Sequence, residues 1–191
     1  MQLNYFNRPY FENGAIKKIS EVLRTQGIKN PLICTDPGLS SIGMTEKIRN
    51  LISDELSSSF YEETPANPTE KAVYKALELY KTNNCDGVVG FGGGSSMDLA
   101  KAVALMANHD GNLLDYAVNE GGYEKITKTV PVIAIPTTSG TGSEVSVGSL
   151  IIMNDGRKLI FASPHLMPDA AICDPELTIG LPPILTAGAG M

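Results

Sequence analysis

The sequence predicts an α/β protein with a mostly parallel sheet that is flanked by helices and carries an added β-hairpin. Apolar runs of strand length alternate along the chain with segments of helical periodicity, which is typical of layered α/β folds. The run Val132 to Ile135 and the pair Val88-Val89 show no polar alternation, as expected for parallel strands that are covered on both faces. Further along, Asn154-Asp155-Gly156 is a strong turn signal between two apolar segments and predicts the hairpin.

The elements of the parallel core follow one another from the N-terminus. Short apolar or β-branched runs predict strands at 3–6, 32–35, 59–62, 87–91 and 130–135. Apolar residues spaced three and four apart predict helices at 15–26, 41–53, 68–82 and 96–108. Hairpin strands are then predicted at 148–153 and 157–162, a further strand at 170–173, and a helix that begins at Pro182-Pro183.

Composition excludes several classes of function. The 191 residues suffice for one well-packed domain, and the formal net charge of −6 argues against nucleic acid or an anionic membrane as partner. No N-terminal signal and no apolar run near the roughly 18 residues of a membrane span is present, so we expect a cytoplasmic protein. Cys34, Cys85 and Cys173 lie far apart, and we expect buried, reduced thiols.

A glycine loop, Gly90-Phe91-Gly92-Gly93-Gly94-Ser95-Ser96-Met97-Asp98, joins a predicted strand to a predicted helix. Glycine lacks a Cβ and lets a pyrophosphate approach the backbone, and the N–H groups at the start of the following helix stabilise its charge. A tight turn with Ser95 or Ser96 as N-cap is the alternative. Three successive glycines exceed what a turn requires, which favours a phosphate site.

A second, hydroxyl loop, Pro136-Thr137-Thr138-Ser139-Gly140-Thr141-Gly142-Ser143-Glu144, follows the apolar strand at 130–135. Its hydroxyl groups can be ordinary surface polarity, yet the carboxyl ends of parallel strands are where open α/β folds bind ligands. Two such loops imply one ligand that bridges them. The spacing departs from the Rossmann fingerprint, because Ser95 replaces its third glycine and the acidic residue Asp36 precedes the glycine loop.

Three segments resemble the iron-containing (group III) alcohol dehydrogenases, in the same order along the chain. They are Gly92-Gly93-Gly94-Ser95-x-x-Asp98-x-Ala100-Lys101, the hydroxyl loop, and Pro168-Asp169-x-x-x-x-Asp174-Pro175. The final residues Leu185 to Met191 resemble the segment that, in the family, leads into an aspartate and a histidine that bind the metal. The resemblance implies a dehydroquinate-synthase-like N-terminal domain, with residues 1–180 as an NAD-binding α/β domain and 181–191 as the truncated start of a helical metal-binding domain.

The resemblance also implies a set of residues that bind the nicotinamide dinucleotide. These are Asp36, Asn67, Gly93, Gly94, Ser95, Asp98, Thr137, Thr138, Thr141, Ser143, Lys158, Leu177 and Thr178. The family binds Fe²⁺ through one aspartate and three histidines, which we expect to lie beyond Met191, so we assign no catalytic residue and no metal ligand here. The family's N-terminal strand pairs with its symmetry mate, and Gln2 to Phe6 is the matching edge strand, which predicts a homodimer.

Several of these residues have a simpler interpretation. Asp36 precedes Pro37-Gly38 and is typical of a turn, although a carboxylate there also suits the ribose hydroxyls of NAD and repels the 2′-phosphate of NADP. Asn67 can act as the N-cap of the helix at 68–82, and Asp98 can balance a helix dipole. Lys158 is by default a solvated lysine, and so is Lys101, which we leave out of the site.

The resulting functional hypothesis is the NAD-binding portion of an iron-dependent alcohol dehydrogenase, which transfers hydride between a small alcohol or aldehyde and NAD(H). One alternative is a nucleotide-binding module without chemistry, or a subunit that another chain completes. Another is a relative of the glycerol dehydrogenases or dehydroquinate synthases, which share the fold and a related glycine loop. The motif from Thr137 to Glu144 favours the alcohol dehydrogenases over these relatives.

Overall fold

The computed structural model describes residues 7–190. Its strands are β1 (Arg8–Phe11), β2 (Pro31–Cys34), β3 (Ser59–Tyr61), β4 (Gly87–Gly92), β5 (Val132–Pro136), β6 (Gly148–Ile152), β7 (Lys158–Ala162) and β8 (Ala170–Cys173). Its α-helices are α1 (Ile19–Thr25), α2 (Pro37–Ser41), α3 (Met44–Arg49), α4 (Glu70–Thr82), α5 (Gly94–Ala107), α6 (Gly122–Lys125) and α7 (Pro183–Gly190). Within the described residues no helix is long and apolar enough to cross a bilayer.

Six of these strands form one parallel sheet in the order β1-β8-β5-β4-β2-β3, and β6 and β7 form a separate antiparallel hairpin. The predicted fold class is thereby confirmed. Adjacent residues of the central strands face opposite layers, as the two-residue period of a strand requires. Val88 packs with α4, α5 and the hairpin, whereas Val89 packs with α1 and β8 on the other face.

The connections that leave β2 and β4, the two adjacent strands at the centre of the sheet, run in opposite directions across it. From the end of β2 the chain moves outward to the edge strand β3, and from the end of β4 it moves the opposite way to β5. A crevice therefore opens outside the carboxyl ends of β2 and β4. Open α/β sheets bind their ligands at such a switch point.

The structure corrects some of the local predictions. The segment 41–53 is not one helix, because Gly43 adopts a φ of +76° and separates α2 from α3. The first helical segment begins with a 3₁₀ turn over Ala15–Lys18 before α1. Strand β1 has no counterpart among the predicted strands, and the predicted strand at 3–6 lies outside the described residues.

The cysteines agree only partly with expectation. Cys34 and Cys85 are buried, and burial raises the pKa of each thiol. Cys173 is half-buried at the end of β8, so its prediction as a buried thiol is wrong. The reason is that the side chain stands at the carboxyl edge of the sheet, where a cleft described below opens.

Candidate functional site

Asp36 stands at the end of β2, at the switch point. Its Oδ1 accepts a hydrogen bond of 3.0 Å from the Leu39 N–H and caps α2, as the turn interpretation predicts. Its Oδ2 lies beside Gly92, where a Cβ would be 3.2 Å from that oxygen and 2.6 Å from Ser96 Oγ. Gly92 also has a φ of +146°, which favours glycine. One carboxylate oxygen of Asp36 thus serves the fold while the other borders the crevice.

The glycine loop and the hydroxyl loop meet over the ends of β4 and β5. The Thr137 N–H donates to the Gly92 carbonyl at 3.0 Å. A Cβ on Gly93 would lie 3.6 Å from Thr138 Oγ1, and a Cβ on Gly94 would lie 3.4 Å from Thr141 Cβ. The two loops therefore form adjoining walls of one crevice, with the N-terminus of α5 between them.

The segment before α4 forms a further wall. Ser95 Oγ donates to the Ala66 carbonyl, and Lys158 Nζ in β7 donates to Asn67 Oδ1 at 2.9 Å. Asn67 is therefore not a helix cap. Thr69 is the N-cap of α4 instead, with its Oγ1 accepting from the Ala72 N–H at 3.2 Å.

Asp98 and Ser143 bond to each other across the site. Ser143 Oγ donates to Asp98 Oδ1 at 2.6 Å, and Asp98 Oδ2 accepts from the Leu150 N–H at 3.0 Å. Ser149 Oγ donates to the Asp98 carbonyl at 2.8 Å. Asp98 therefore joins α5 to the hairpin, a role more specific than balancing the helix dipole.

Lys101 is the site residue that sequence reasoning missed. The prediction of a solvated surface charge is wrong, because the side chain is 0% exposed and its Nζ donates to backbone carbonyls of the segment 143–148. A signal for this was present in the sequence. Its neighbours Leu99 to Met106 are otherwise apolar all round, which is typical of a buried helix, and a lysine within such a helix needs internal acceptors.

Two clefts flank the hydroxyl loop. The first, of about 290 Å³, lies between α5 and the hairpin, and its lining includes Gly94, Asp98, Thr141, Ser143 and Leu150. The second, of about 400 Å³, lies at the ends of β5 and β8, and its lining includes Phe11, Thr138, Glu144, Cys173 and Thr178. Of the remaining predicted residues, Thr137 and Leu177 are buried and line neither cleft.

The residues present do not suit a metal ion. Among residues 7–190 no group of three or more His, Cys, Asp or Glu side chains could hold one. His109 instead has Nδ1 at 2.8 Å from the Leu105 carbonyl and Nε2 at 3.0 Å from the Thr127 N–H. We therefore derive no chemical step through a metal from this part of the chain.

The residues suit a dinucleotide much better. The crevice offers backbone N–H groups at the start of α5, and Gly93 and Gly94 keep that backbone accessible. Asp36 stands at one end of the crevice, and the hydroxyl-rich wall and the Lys158–Asn67 pair adjoin it. This is the donor and acceptor set that a pyrophosphate flanked by two riboses requires.

Comparison with known proteins agrees with this chemistry. A family model described as iron-containing alcohol dehydrogenase matches residues 7–175. A 4-hydroxybutyrate dehydrogenase of Cupriavidus necator is 48% identical over 188 residues, which are 98% of this chain and 49% of that protein. A solved 1,3-propanediol oxidoreductase superposes with a TM-score of 0.92 at 31% identity, covering 100% of this chain and 50% of that chain.

Another solved structure adds information about the ligand. A sulfoacetaldehyde reductase of Bifidobacterium kashiwanohense, determined in complex with NAD⁺, has a TM-score of 0.89 at 32% identity over 100% of this chain and 50% of that one. The chain thus spans about half the length of these relatives. The family resemblance drawn from the three sequence segments is confirmed, whereas the individual site residues and the domain boundary at 180–181 stay predictions.

Proposed function

The chain belongs to the iron-containing alcohol dehydrogenase family, and from this premise we propose that it binds NAD(H) in the crevice outside β2, β4 and β5. The proposed role is to hold and orient the dinucleotide for hydride transfer to or from a small alcohol or aldehyde. NAD⁺ supplies the hydride acceptor in the oxidative direction. The residues of this chain supply binding and orientation.

The observation that carries the proposal is the meeting of the two loops. A Cβ on Gly93 would be in van der Waals contact with Thr138, and one on Gly94 with Thr141, so a pyrophosphate at the N-terminus of α5 would be close to both loops at once. The helix N-terminus favours negative charge, and each loop hydroxyl is a short donor.

The other predicted residues are proposed to act around this pyrophosphate position. We propose that Asp36 accepts the adenosine ribose hydroxyls and that Lys158 and Asn67 contact the second ribose. Ser95 holds the 64–69 segment through the Ala66 carbonyl, which supports a positioning role beside the ligand. Asp98 and Ser143 shape the first cleft, and Thr178 borders the second.

The class of substrate is proposed from the relatives. The 48% identical protein is a 4-hydroxybutyrate dehydrogenase, so a short primary alcohol that carries a carboxylate is the first substrate to test. We further propose a cytoplasmic homodimer with the domain boundary near residue 180. The edge position of β1, which pairs with β8 on one side, supports assembly through this edge.

Calorimetric titration of the 191-residue chain with NADH and NADPH tests the proposal. We expect binding of both, with NADH the tighter ligand, and at least tenfold weaker NADH binding by Gly93→Ala. Lys71→Met, which removes an exposed lysine on α4, is the matched control and should bind as the parent does. A parent chain that binds neither dinucleotide contradicts the proposal.

A further inference from the structure

Lys101 carries a buried ammonium group on α5, beside the end of the hydroxyl loop. Its Nζ donates to the carbonyls of Ser143 at 2.7 Å, Ser146 at 2.8 Å and Gly148 at 2.9 Å. A weaker contact of 3.2 Å reaches Ser143 Oγ. No carboxylate among residues 7–190 forms an ion pair with this ammonium in the structure.

Such an arrangement is unfavourable for folding alone. Burial disfavours the charged lysine and lowers its pKa to about 8, while the nearby carboxylates of Asp98 and Glu144 oppose that shift. A methionine or leucine would fill the same space without this penalty. The ammonium is therefore best explained by what its three carbonyl partners do.

These carbonyls belong to the segment that leads from the hydroxyl loop into β6. The segment is a 3₁₀ turn over Ser143–Val145 followed by extended residues, and its internal support consists of short-range turn bonds such as Val145 N–H to the Gly142 carbonyl. Ser143, Ser146 and Gly148 also line the first cleft. Lys101 ties this segment to α5, whose first turn begins with Gly94 of the glycine loop.

Building on the proposed function, we infer that Lys101 is a positioning residue of the cofactor site. Its ammonium holds residues 143–148 in the position where they line the site for the half of the dinucleotide that lies beyond the pyrophosphate from adenosine. Adenosine is assigned to Asp36 at the far end of the crevice, so Lys101 acts on the other half of the ligand. It does so through the carbonyls and without contact to the ligand.

The test compares two probes, NADH and ADP, by calorimetry on the parent, Lys101→Met and Lys101→Arg. We expect Lys101→Met to weaken NADH binding at least tenfold and ADP binding less than twofold. Lys101→Arg keeps the positive charge and presents five N–H donors, so it should recover part of the NADH affinity. Lys71→Met on α4 is the control for loss of a lysine and should match the parent.

Each outcome decides the inference. Equal losses for NADH and ADP in Lys101→Met mean a general effect on folding and overturn it, as does unchanged NADH affinity. If the parent binds no NADH, the proposed function itself fails, which is a separate result.

Amide-resolved hydrogen exchange on the parent keeps the inference testable if Lys101→Met does not fold. We expect residues 143–148 to exchange more slowly than the exposed Ser139, Gly140 and Thr141. Equal exchange of the two segments overturns the inference.

Discussion

Lys158 Nζ lies 2.9 Å from Asn67 Oδ1, although 91 residues separate them in the chain. A second contact in the same region joins the Ile152 N–H to the Pro68 carbonyl at 2.8 Å. The hairpin and the segment before α4 thus close around the start of α5. Lys158 and Asn67, which the family resemblance assigns to the cofactor, thus lie together on one side of the glycine loop.

Removing this lysine should affect binding more than stability. Lys158 and Asn67 are both exposed, and exposed polar pairs contribute at most about 1 kcal/mol. We expect Lys158→Met to shift the free energy of unfolding by no more than this, while NADH affinity falls severalfold. Urea unfolding and calorimetry measure the two effects, and a loss of stability without a loss of affinity would contradict the assignment.

Asp36 allows charge and capping to be separated. Asp36→Asn keeps an oxygen that can accept from the Leu39 N–H, whereas Asp36→Gly removes the cap as well. Both variants should narrow the preference for NADH over NADPH by about 1–3 kcal/mol, because the ribose acceptor weakens and the repulsion of the 2′-phosphate disappears. Calorimetry with both dinucleotides is the measurement, and equal affinities in the parent would refute the expectation.

Two residues of the glycine loop, Gly90 and Gly93, should respond differently to substitution by alanine. A Cβ on Gly90 would lie 2.7 Å from the Met97 Cα, so Gly90→Ala forces β4 and α5 apart and should destabilise the fold by about 1–3 kcal/mol. A Cβ on Gly93 meets only the Thr138 hydroxyl at 3.6 Å, and Gly93→Ala should change stability by less than about 1 kcal/mol. Gly93→Ala should instead weaken NADH binding, and thermal unfolding beside calorimetry distinguishes the two variants.

Lys101 should make stability depend on pH in a defined direction. Its pKa is about 8 in the folded chain and 10.5 in the unfolded chain, so between these values the unfolded chain binds the extra proton. The contribution of Lys101 to the free energy of unfolding is constant below about pH 8. It then rises by at most about 1.4 kcal/mol per pH unit.

The matching measurement is urea unfolding of the parent and Lys101→Met from pH 7 to pH 10. The difference between the two proteins should grow in favour of the parent above pH 8. Tyr61 and Tyr80, whose pKa values burial raises to about 12, titrate in both proteins and cancel in the difference. A difference that shrinks or stays flat would contradict the burial of this charge.

We expect the 191-residue chain to lack alcohol dehydrogenase activity when Fe²⁺ or Zn²⁺ is added. An alcohol without an activating group is too weak an acid to lose its proton near neutral pH, and residues 7–190 offer no cluster of metal ligands. NADH formation from 4-hydroxybutyrate is followed at 340 nm, with heat-denatured chain as blank. Metal-dependent turnover would show that ligands outside those residues, or an unrecognised set within them, build a site.

The sequence predicts the central strands well because their local signals are strong. The buried strands are short apolar runs, and Asn154-Asp155-Gly156 marks the hairpin turn without help from distant residues. The two loops are predictable for the same reason, since glycines and hydroxyl groups follow a strand in each. Local patterns do not show which loops lie next to each other, because this is determined by the order of the strands in the sheet.

The residues whose structural roles were predicted wrongly all depend on partners that are distant in the sequence. Lys101 is buried because carbonyls more than 40 positions away accept its hydrogen bonds. Asn67 loses its cap role because Thr69 caps α4 and Lys158 in the hairpin reaches the asparagine. β1 contains Arg8 and Pro9 and has no apolar run, and only β8 makes it a strand.

The pairing of β1 with β8 also determines when the sheet can be finished during synthesis. Arg8–Phe11 leaves the ribosome well before its partner Ala170–Cys173. Asp174 completes this junction, because its carboxylate accepts from the Gly14 and Ile16 N–H groups. Until β8 has emerged, β1 has an unpaired backbone, and closing the long loop between these two strands makes the docking of β1 a slow step of folding. Nascent chains stalled before residue 170 should therefore expose this strand to chaperones and proteases, while β2 and β4 can already pair.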